Sequence, residues 1–243
     1  MEYYDENYKK IDISDEVFKN VINHGVCGTA YRYDEVTCLK CYDRGFTNTA
    51  FIMNKTLYDD LKTINSNNVI QIKGLLYKKE NKEHFTANAY LSTYYHEKYK
   101  KLLEVPSEYL LENMEGILKL SDKISDIGYR FKDLKRENII LTDKHIVICD
   151  NDGWFNSYQM EKLSKYQIRS LNINAITYIF AKIARDELKG DHLNFLVKNN
   201  LYFSSIENKL FPLTCNKDRA MKTLTKRLTG YKRPIDYFYS MKK

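Results

Sequence analysis

The sequence predicts an α+β fold, with a small antiparallel β region followed by a mainly helical region. Short apolar runs separated by turn residues fill the segment from Val17 to Leu91, which is typical of strands joined by hairpins. After residue 93 the apolar residues recur at helical spacing, and Gly128 ends a long amphipathic stretch. A short hairpin with apolar strands then interrupts the helical region at residues 139–148.

Length and composition limit the class of protein. The chain has 243 residues, which is enough for one large domain or for two lobes that share a cleft. No apolar run reaches the length of a membrane span, and the acidic, Tyr-rich start does not have the pattern of a signal peptide. The five cysteines lie mostly in strand-like stretches, which suits reduced thiols and predicts a cytoplasmic location. The net charge of +7 comes from scattered Lys and Arg residues, so we do not expect a nucleic-acid partner, although the charge does not exclude one.

The first strands contain two features that need an explanation. Residues 1–16 are polar and acidic, and we expect a mobile or loosely docked lead-in there. From Val17 the pattern becomes strand-like and runs into Asn23-His-Gly25-Val-Cys-Gly28-Thr-Ala30. Two glycines three residues apart suit either a plain hairpin turn or a loop whose backbone N–H groups approach phosphate. The next strand is Val36–Tyr42, and Lys40 inside this otherwise apolar run requires a partner or a ligand.

The same periodicities place the remaining elements. We expect helices at Thr49–Ile64, from Pro106 through Ile124, at Leu171–Phe180 and around Met221–Leu228, and strands at Gln71–Tyr77 and Phe85–Leu91. The change from strands to helices at Ser92–Tyr95 predicts a hinge between two parts of the chain.

The segment from Phe131 to Trp154 carries the most specific pattern. It contains two apolar strands, Ile139–Leu141 and Ile146–Ile148, joined by a polar turn. Oxygen-bearing side chains flank this hairpin, namely Asp133 and Asn138 before it and Asp150 and Asp152 after it. A carboxylate that accepts a proton, oxygen ligands for Mg²⁺ and a nearby Lys are the groups that phosphoryl transfer requires.

These residues resemble the catalytic and metal-binding loops of eukaryotic-type Ser/Thr protein kinases. The run Asp133-Leu134-Lys135-Arg136-Glu137-Asn138 matches the family motif D-L-K-x-x-N without a gap, and Ile148-Cys149-Asp150 matches the approach to the metal-binding Asp. The resemblance spans about residues 17–240 and implies a bilobal protein-kinase-like fold. It implies an N-lobe at 17–93, with the nucleotide-binding sheet and helix, and a mainly helical C-lobe at 94–243.

The resemblance also implies a role for each matched residue, with ATP and Mg²⁺ as cofactors and a protein as substrate. Asp133 would accept the proton of a Ser or Thr hydroxyl, and Lys135 would steady the transferring phosphoryl group. Asn138 and Asp150 would hold Mg²⁺, and Lys40 would place the phosphates of the nucleotide. The glycine-rich loop of the family corresponds here to Asn23, Gly25 and Gly28.

The chain departs from the family pattern at several positions. Phe131-Lys132 stands where the family has His-Arg, and Asn151-Asp152 stands where it has Phe-Gly. A rival register would therefore put Asn151 at the metal position instead of Asp150. Leu57 falls where the family has a helix Glu that pairs with the strand Lys, and Asn172 falls at the usual Asp of a central helix.

Two other functions stay open at this stage. Small-molecule kinases resembling aminoglycoside and choline phosphotransferases often have D-x-D in the metal loop, as Asp150-Asn151-Asp152 does. A pseudokinase that serves as a scaffold would account for the missing helix Glu and for the replaced His-Arg pair. Lys135 in its D-L-K context favours the Ser/Thr protein kinase.

Overall fold

The computed structural model describes residues 1–43, 52–78, 87–188, 194, 198 and 209–241. The fold is α+β, and its sheets are antiparallel in this part of the chain. The chain divides into two compact units. The first unit contains Met1–Asn65, Ile70–His96 and Asp150–Phe155, and the second contains Ser66–Val69, Glu97–Cys149 and Asn156–Lys243.

The first unit is built on an antiparallel sheet. The strands of this unit are β1 (Glu2–Tyr4), β2 (Lys10–Asp12), β3 (Val21–His24), β4 (Gly28–Arg32), β5 (Thr37–Tyr42), β6 (Ile72–Leu76) and β7 (Ala89–Thr93). Strands β1 and β2 form a separate two-stranded sheet. The main sheet has the order β3-β4-β5-β7-β6, so β5 has a neighbour on each side. Successive side chains of a strand point to opposite faces. Leu39 is therefore buried in the core while Lys40 projects from the other face of β5.

The structure corrects the expectation of a loosely docked lead-in. Residues 1–16 contain the hairpin β1–β2, in which Tyr3 is paired with Ile11. Tyr4 exchanges two backbone hydrogen bonds of 2.8 Å with Tyr77 just beyond β6. Tyr3 and Ile13 are buried in one cluster with Leu39 of β5. Tyr3 and Ile13, together with the backbone bonds to Tyr77, dock this segment, although the polar residues around them hide this in the sequence.

Several other boundaries of the first unit differ from the predicted ones. Val17–Lys19 forms a 3₁₀ turn, so the strand begins only at Val21. The predicted helix is α1 (Lys55–Lys62), which Asn54 caps by accepting a hydrogen bond from the Leu57 N–H at 2.9 Å. The predicted starts of this helix at Thr49 and of a strand at Phe85 lie outside the described residues.

The second unit is mainly helical. Its elements are α2 (Ser107–Asp126), β8 (Tyr129–Arg130), β9 (Ile139–Leu141), β10 (Ile146–Ile148), α3 (Ser157–Met160), α4 (Lys165–Glu187), α5 (Lys217–Leu228) and α6 (Pro234–Ser240). A short strand, β11 (Phe155–Asn156), comes directly before α3. As predicted, Gly128 terminates α2: it lies two residues beyond the last helical residue, Asp126, and adopts a φ of 87°. None of the described helices is long and apolar enough to cross a membrane.

The predicted hairpin at residues 139–148 is confirmed. Strands β9 and β10 are antiparallel, with Ile146 opposite Leu141 and Ile148 opposite Ile139. Two buried amides fix the hairpin against α2. Asn113 accepts a hydrogen bond from the Ile146 N–H at 2.7 Å, and Asn68 donates to both Asn113 and the Ile146 carbonyl at 2.9 Å.

The docked N-terminal hairpin predicts a large effect of Tyr3→Ala. Tyr3 is only 2% exposed, so its truncation leaves a cavity in the core of the first unit. We expect the free energy of unfolding to fall by about 3 kcal/mol. Tyr8→Ala in the same hairpin is the control, because the Tyr8 side chain is exposed. Chemical denaturation measures both, and equal effects would contradict the docking of this hairpin.

Candidate active site

Lys40 does have the partners that its position in the sequence requires. Its side chain projects from β5 and is 15% exposed. The Nζ atom donates to both carboxylate oxygens of Asp152, at 2.9 and 3.1 Å, and also to Asp150. Two carboxylates thus offset the cost of burying this ammonium group.

A single tight turn supplies both carboxylates. Asp150 precedes a 3₁₀ turn at Asn151–Gly153 and adopts the left-handed conformation, with φ 61° and ψ 48°. This conformation is uncommon for residues other than glycine and persists where the surroundings hold it in place. The two carboxylates differ in solvent exposure, since the Asp150 side chain is 35% exposed and that of Asp152 is 3% exposed.

The charges of this cluster perturb one another. Burial, together with the neighbouring Asp150, raises the pKa of Asp152 to about 6 against the opposing effect of Lys40. Burial acts to lower the pKa of Lys40, but the attraction of Asp152 and Asp150 outweighs it and holds that pKa above its usual value. Lys40 therefore stays charged, and Asp152 is the carboxyl that is harder to ionise.

Tyr42 completes the cluster, and it was missed in the sequence analysis. It lies two residues after Lys40 on β5, and hence on the same face. Its hydroxyl donates to Asp152 Oδ2 at 2.7 Å and accepts from the Met53 N–H at 2.8 Å. Burial raises the pKa of Tyr42 well above its usual value, so the hydroxyl keeps its proton. The alternation of β5 was the available signal for Tyr42.

The residues assigned to a glycine-rich loop lie in the β3–β4 hairpin. Gly25 donates from its N–H to the Gly28 carbonyl at 2.8 Å. A Cβ on Gly28 would lie 2.1 Å from the Cys41 carbonyl oxygen, so β5 approaches too closely for a larger residue. A Cβ on Gly25 would meet nothing closer than 3.5 Å. Asn23 is exposed on the edge strand β3. Strand packing therefore requires Gly28. Gly25 has room for a larger residue, but its N–H is already bound within the hairpin, and Asn23 is open to solvent.

In the second unit, the D-L-K-x-x-N loop brings the side chains of Lys135 and Asn138 to Asp133. Lys135 Nζ lies 2.5 Å from Asp133 Oδ2. Asn138 is buried and donates through Nδ2 to the Asp133 carbonyl at 2.9 Å and to Asp133 Oδ2 at 3.3 Å. Asp133 adopts a left-handed φ of 51°, and its carboxylate is 54% exposed. The loop thus presents a carboxylate to solvent while its backbone is held from the inside.

Asn172 on α4 secures the chain just before this loop. Its Oδ1 accepts from the Phe131 N–H at 3.0 Å, and its Nδ2 donates to Ser125 Oγ and to the Tyr129 carbonyl, both at 2.9 Å. The side chain is 1% exposed, so these bonds are shielded from water. A neutral amide satisfies one donor and two acceptors here, which a carboxylate alone would not do.

The oxygen donors present in each unit suit Mg²⁺. Magnesium prefers carboxylate and amide oxygens, takes one or two carboxylates, and completes its coordination with water and phosphate. Asp150 offers a partly exposed carboxylate, whereas the Asn151 side chain is completely buried. Within the described ranges, no group of three or more His, Cys, Asp and Glu residues could hold a metal ion. Protein side chains alone therefore do not form a metal cage there.

Comparison with other proteins adds no assignment. Neither the family models nor the curated proteins with which the chain was compared match it. The side chains and their contacts are therefore the basis for any proposal of function.

The Lys40 cluster predicts a pH-dependent loss of stability in Lys40→Met. Without the ammonium, the pKa of the buried Asp152 rises further, and ionising this carboxyl opposes folding. A carboxyl whose pKa is higher in the folded than in the unfolded state stabilises the folded protein at pH values below its unfolded-state pKa. This stabilisation is lost as the pH rises through the folded-state pKa. We therefore expect a loss of about 3 kcal/mol at pH 8 and a smaller loss at pH 5.

Denaturation of matched variants measures this effect. Asp152→Asn in the Lys40→Met background should recover part of the loss at pH 8, because no buried charge then remains. Lys55→Met is the control, since Lys55 forms exposed ion pairs and should cost less than about 1 kcal/mol at either pH. A loss in Lys40→Met that is the same at both pH values would contradict the assignment.

Proposed function

We propose that the protein is an ATP- and Mg²⁺-dependent phosphotransferase of the Ser/Thr protein kinase type, with the bilobal architecture of that family. The observation that carries the proposal is the loop in which the Asp133 carboxylate contacts the side chains of both Lys135 and Asn138. The spacing of these residues matches the kinase motif, and their contacts are those that proton acceptance and phosphate stabilisation call for.

Asp133 and Lys135 are the proposed catalytic residues. The Asp133 carboxylate is exposed enough to accept a hydrogen bond from an incoming hydroxyl, and it would take the proton as that oxygen attacks. The ammonium of Lys135 beside it would stabilise the negative charge on the transferring phosphoryl group. The hydrogen bond from the Asn138 side chain (Nδ2) to the Asp133 carbonyl would hold the base in position before substrate binds.

Asn138, Asp150 and Lys40 are the proposed ligands of metal and nucleotide. Asn138 donates to Asp133 through Nδ2, which makes Oδ1 the atom suited to a cation. Asp150 is preferred over Asn151 as the second ligand because its side chain is the exposed one. Bound Mg²⁺ would neutralise the phosphate charge. Lys40 would bind phosphate oxygens, with Gly25, Gly28 and Asn23 along the nucleotide.

The substrate assignment favours a protein over a small molecule. A small-molecule kinase with a D-x-D metal loop would use Asp152 as an additional ligand. Here Asp152 is buried and bound by Lys40 and Tyr42, so its carboxylate is already occupied. This contact also weakens the case for a pseudokinase, because Lys40 has a carboxylate partner despite the missing helix Glu.

The described cysteines form no disulfide, in keeping with the proposed cytoplasmic location.

The proposal predicts that Asp133→Asn separates chemistry from binding. Asp133 acts on the hydroxyl and not on ATP, so ATP affinity should stay within about twofold while phosphoryl transfer falls about a hundredfold or more. Labelled ATP and Mg²⁺ are incubated with each variant and with either a protein mixture or small alcohols. Asp143→Asn in the exposed hairpin turn is the control and should transfer at the wild-type rate.

The distribution of label decides between the three functions. Label on protein supports the kinase, and turnover only with small alcohols would transfer the assignment to a small-molecule kinase. Undiminished transfer by Asp133→Asn would remove Asp133 from the mechanism. No transfer by the wild-type protein to either substrate would favour the scaffold.

The proposed function also predicts that ATP binding depends on the metal. ATP should raise the melting temperature of the wild-type protein more with Mg²⁺ than with a chelator, because Asp150 and Asn138 would hold the metal that neutralises the phosphates. Asp150→Asn should lose most of this metal-dependent difference. Asp59→Asn on α1 changes an exposed carboxylate and should leave the difference intact. Equal shifts with Mg²⁺ and with chelator in the wild-type protein would show that the metal site is absent.

A further inference from the structure

We propose that Asp152, fixed by the Tyr42 hydroxyl, is the residue that positions Lys40 for the nucleotide. Protein kinases use a Glu on a helix for this task, and both the Lys and its partner must be in place for transfer. In this chain the partner lies in the turn that follows the metal ligand. The inference rests on the proposed function and names the positioning residues of the same site.

The contacts single out Asp152 and not Asp150 for this role. Both oxygens of Asp152 accept from Lys40 Nζ, at 2.9 and 3.1 Å, and the carboxylate is 3% exposed. Asp150 also accepts from Lys40, but it is partly exposed and is the proposed metal ligand. When Asp150 binds a cation, its oxygens are drawn to that cation. The Asp152 contact then keeps the ammonium in place.

Tyr42 fixes the position of the Asp152 carboxylate. Its hydroxyl donates to Asp152 Oδ2 at 2.7 Å, so this carboxylate accepts three hydrogen bonds, two from Lys40 Nζ and one from Tyr42. The Met53 N–H donates to the same hydroxyl at 2.8 Å and thereby sets its orientation. A buried carboxylate with several donors has little freedom to rotate.

Lys40 and Tyr42 both project from a rigid element. In β5, Lys40 is paired with Ala30 of β4 on one side and with Tyr90 of β7 on the other. A side chain on a strand inside a sheet is more precisely placed than one on a loop. The partner of Lys40 is thus anchored to the sheet through Tyr42.

Helix α1 does not supply the anchor. Leu57, at the position of the family Glu, is buried and apolar, and Asp59 forms an ion pair with Lys55. The contacts that place Lys40 come from the turn at residues 150–152 and from β5. The position of Lys40 should therefore follow the conformation of this turn.

Tyr42→Phe is the direct test, because it removes one hydroxyl and keeps the ring. We expect the KM for ATP to rise or the turnover number to fall, so that kcat/KM for ATP drops about tenfold, the effect of one hydrogen bond to a charged group. The KM for the hydroxyl substrate should not change. Asp152→Asn should act in the same direction with a larger drop. Tyr31→Phe on β4 is the control, since Tyr31 packs against Phe18 away from the cluster.

The readouts separate the possible failures. If the wild-type protein neither transfers phosphate nor binds ATP, the proposed function is wrong and this inference fails with it. If the wild-type protein is active and both variants keep its kcat/KM for ATP, the function stands and the positioning role is wrong. If Asp152→Asn loses only the Mg²⁺-dependent part of ATP binding, Asp152 is a metal ligand, which also overturns the inference. Should Asp152→Asn fail to fold, Tyr42→Phe still gives the answer.

Discussion

The burial of one ammonium group, that of Lys40, is the constraint on which the organisation of the first unit depends. A charged Lys in the middle strand of a sheet is tolerated only with compensating charge nearby. Asp150 and Asp152 provide it, although 110 and 112 residues separate them from Lys40. As a result, the segment Asp150–Phe155 belongs to the first unit, whereas Cys149 before it and Asn156 after it belong to the second. The ion pairs that compensate the buried charge are the same ones that place Lys40 for its proposed role in nucleotide binding.

Two of the carboxylate residues, Asp133 and Asp150, share an unusual backbone conformation. Asp133 and Asp150 both adopt positive φ, at 51° and 61°, and they flank the hairpin β9–β10. Such a conformation costs about 1 kcal/mol or more and is kept only where other contacts determine it. For Asp133 those contacts come from Asn138. Preorganisation of this kind lowers the cost of ordering a base or a ligand when substrate arrives.

Local patterns were readable in the sequence, and distant pairings were not. The bounds of β9 and β10, the end of α2 at Gly128 and the presence of Lys40 on a strand follow from periodicity and turn chemistry over a few residues. The partner of Lys40 could not be predicted, because nothing local to β5 identifies Asp152. The docking of Tyr3 was missed for the same reason. The apolar run predicts a helix that begins at Leu171, whereas α4 begins at Lys165. The capping box of Ser164 and Gln167 is the sequence signal for this earlier start.

The turn at residues 150–152 combines stabilising contacts of its two carboxylates with a destabilising buried amide at Asn151. Two carboxylates share one ammonium, so the cluster carries an excess negative charge that favours an added cation. Asp150 is the more exposed of the two, whereas moving the buried Asp152 would break its bonds to Lys40 and Tyr42. Asn151 lies between them with a fully buried amide that has no hydrogen-bond partner among the described residues. Such an amide costs about 1–3 kcal/mol. The contacts of the two flanking carboxylates with Lys40 therefore hold this turn against the cost of its central residue.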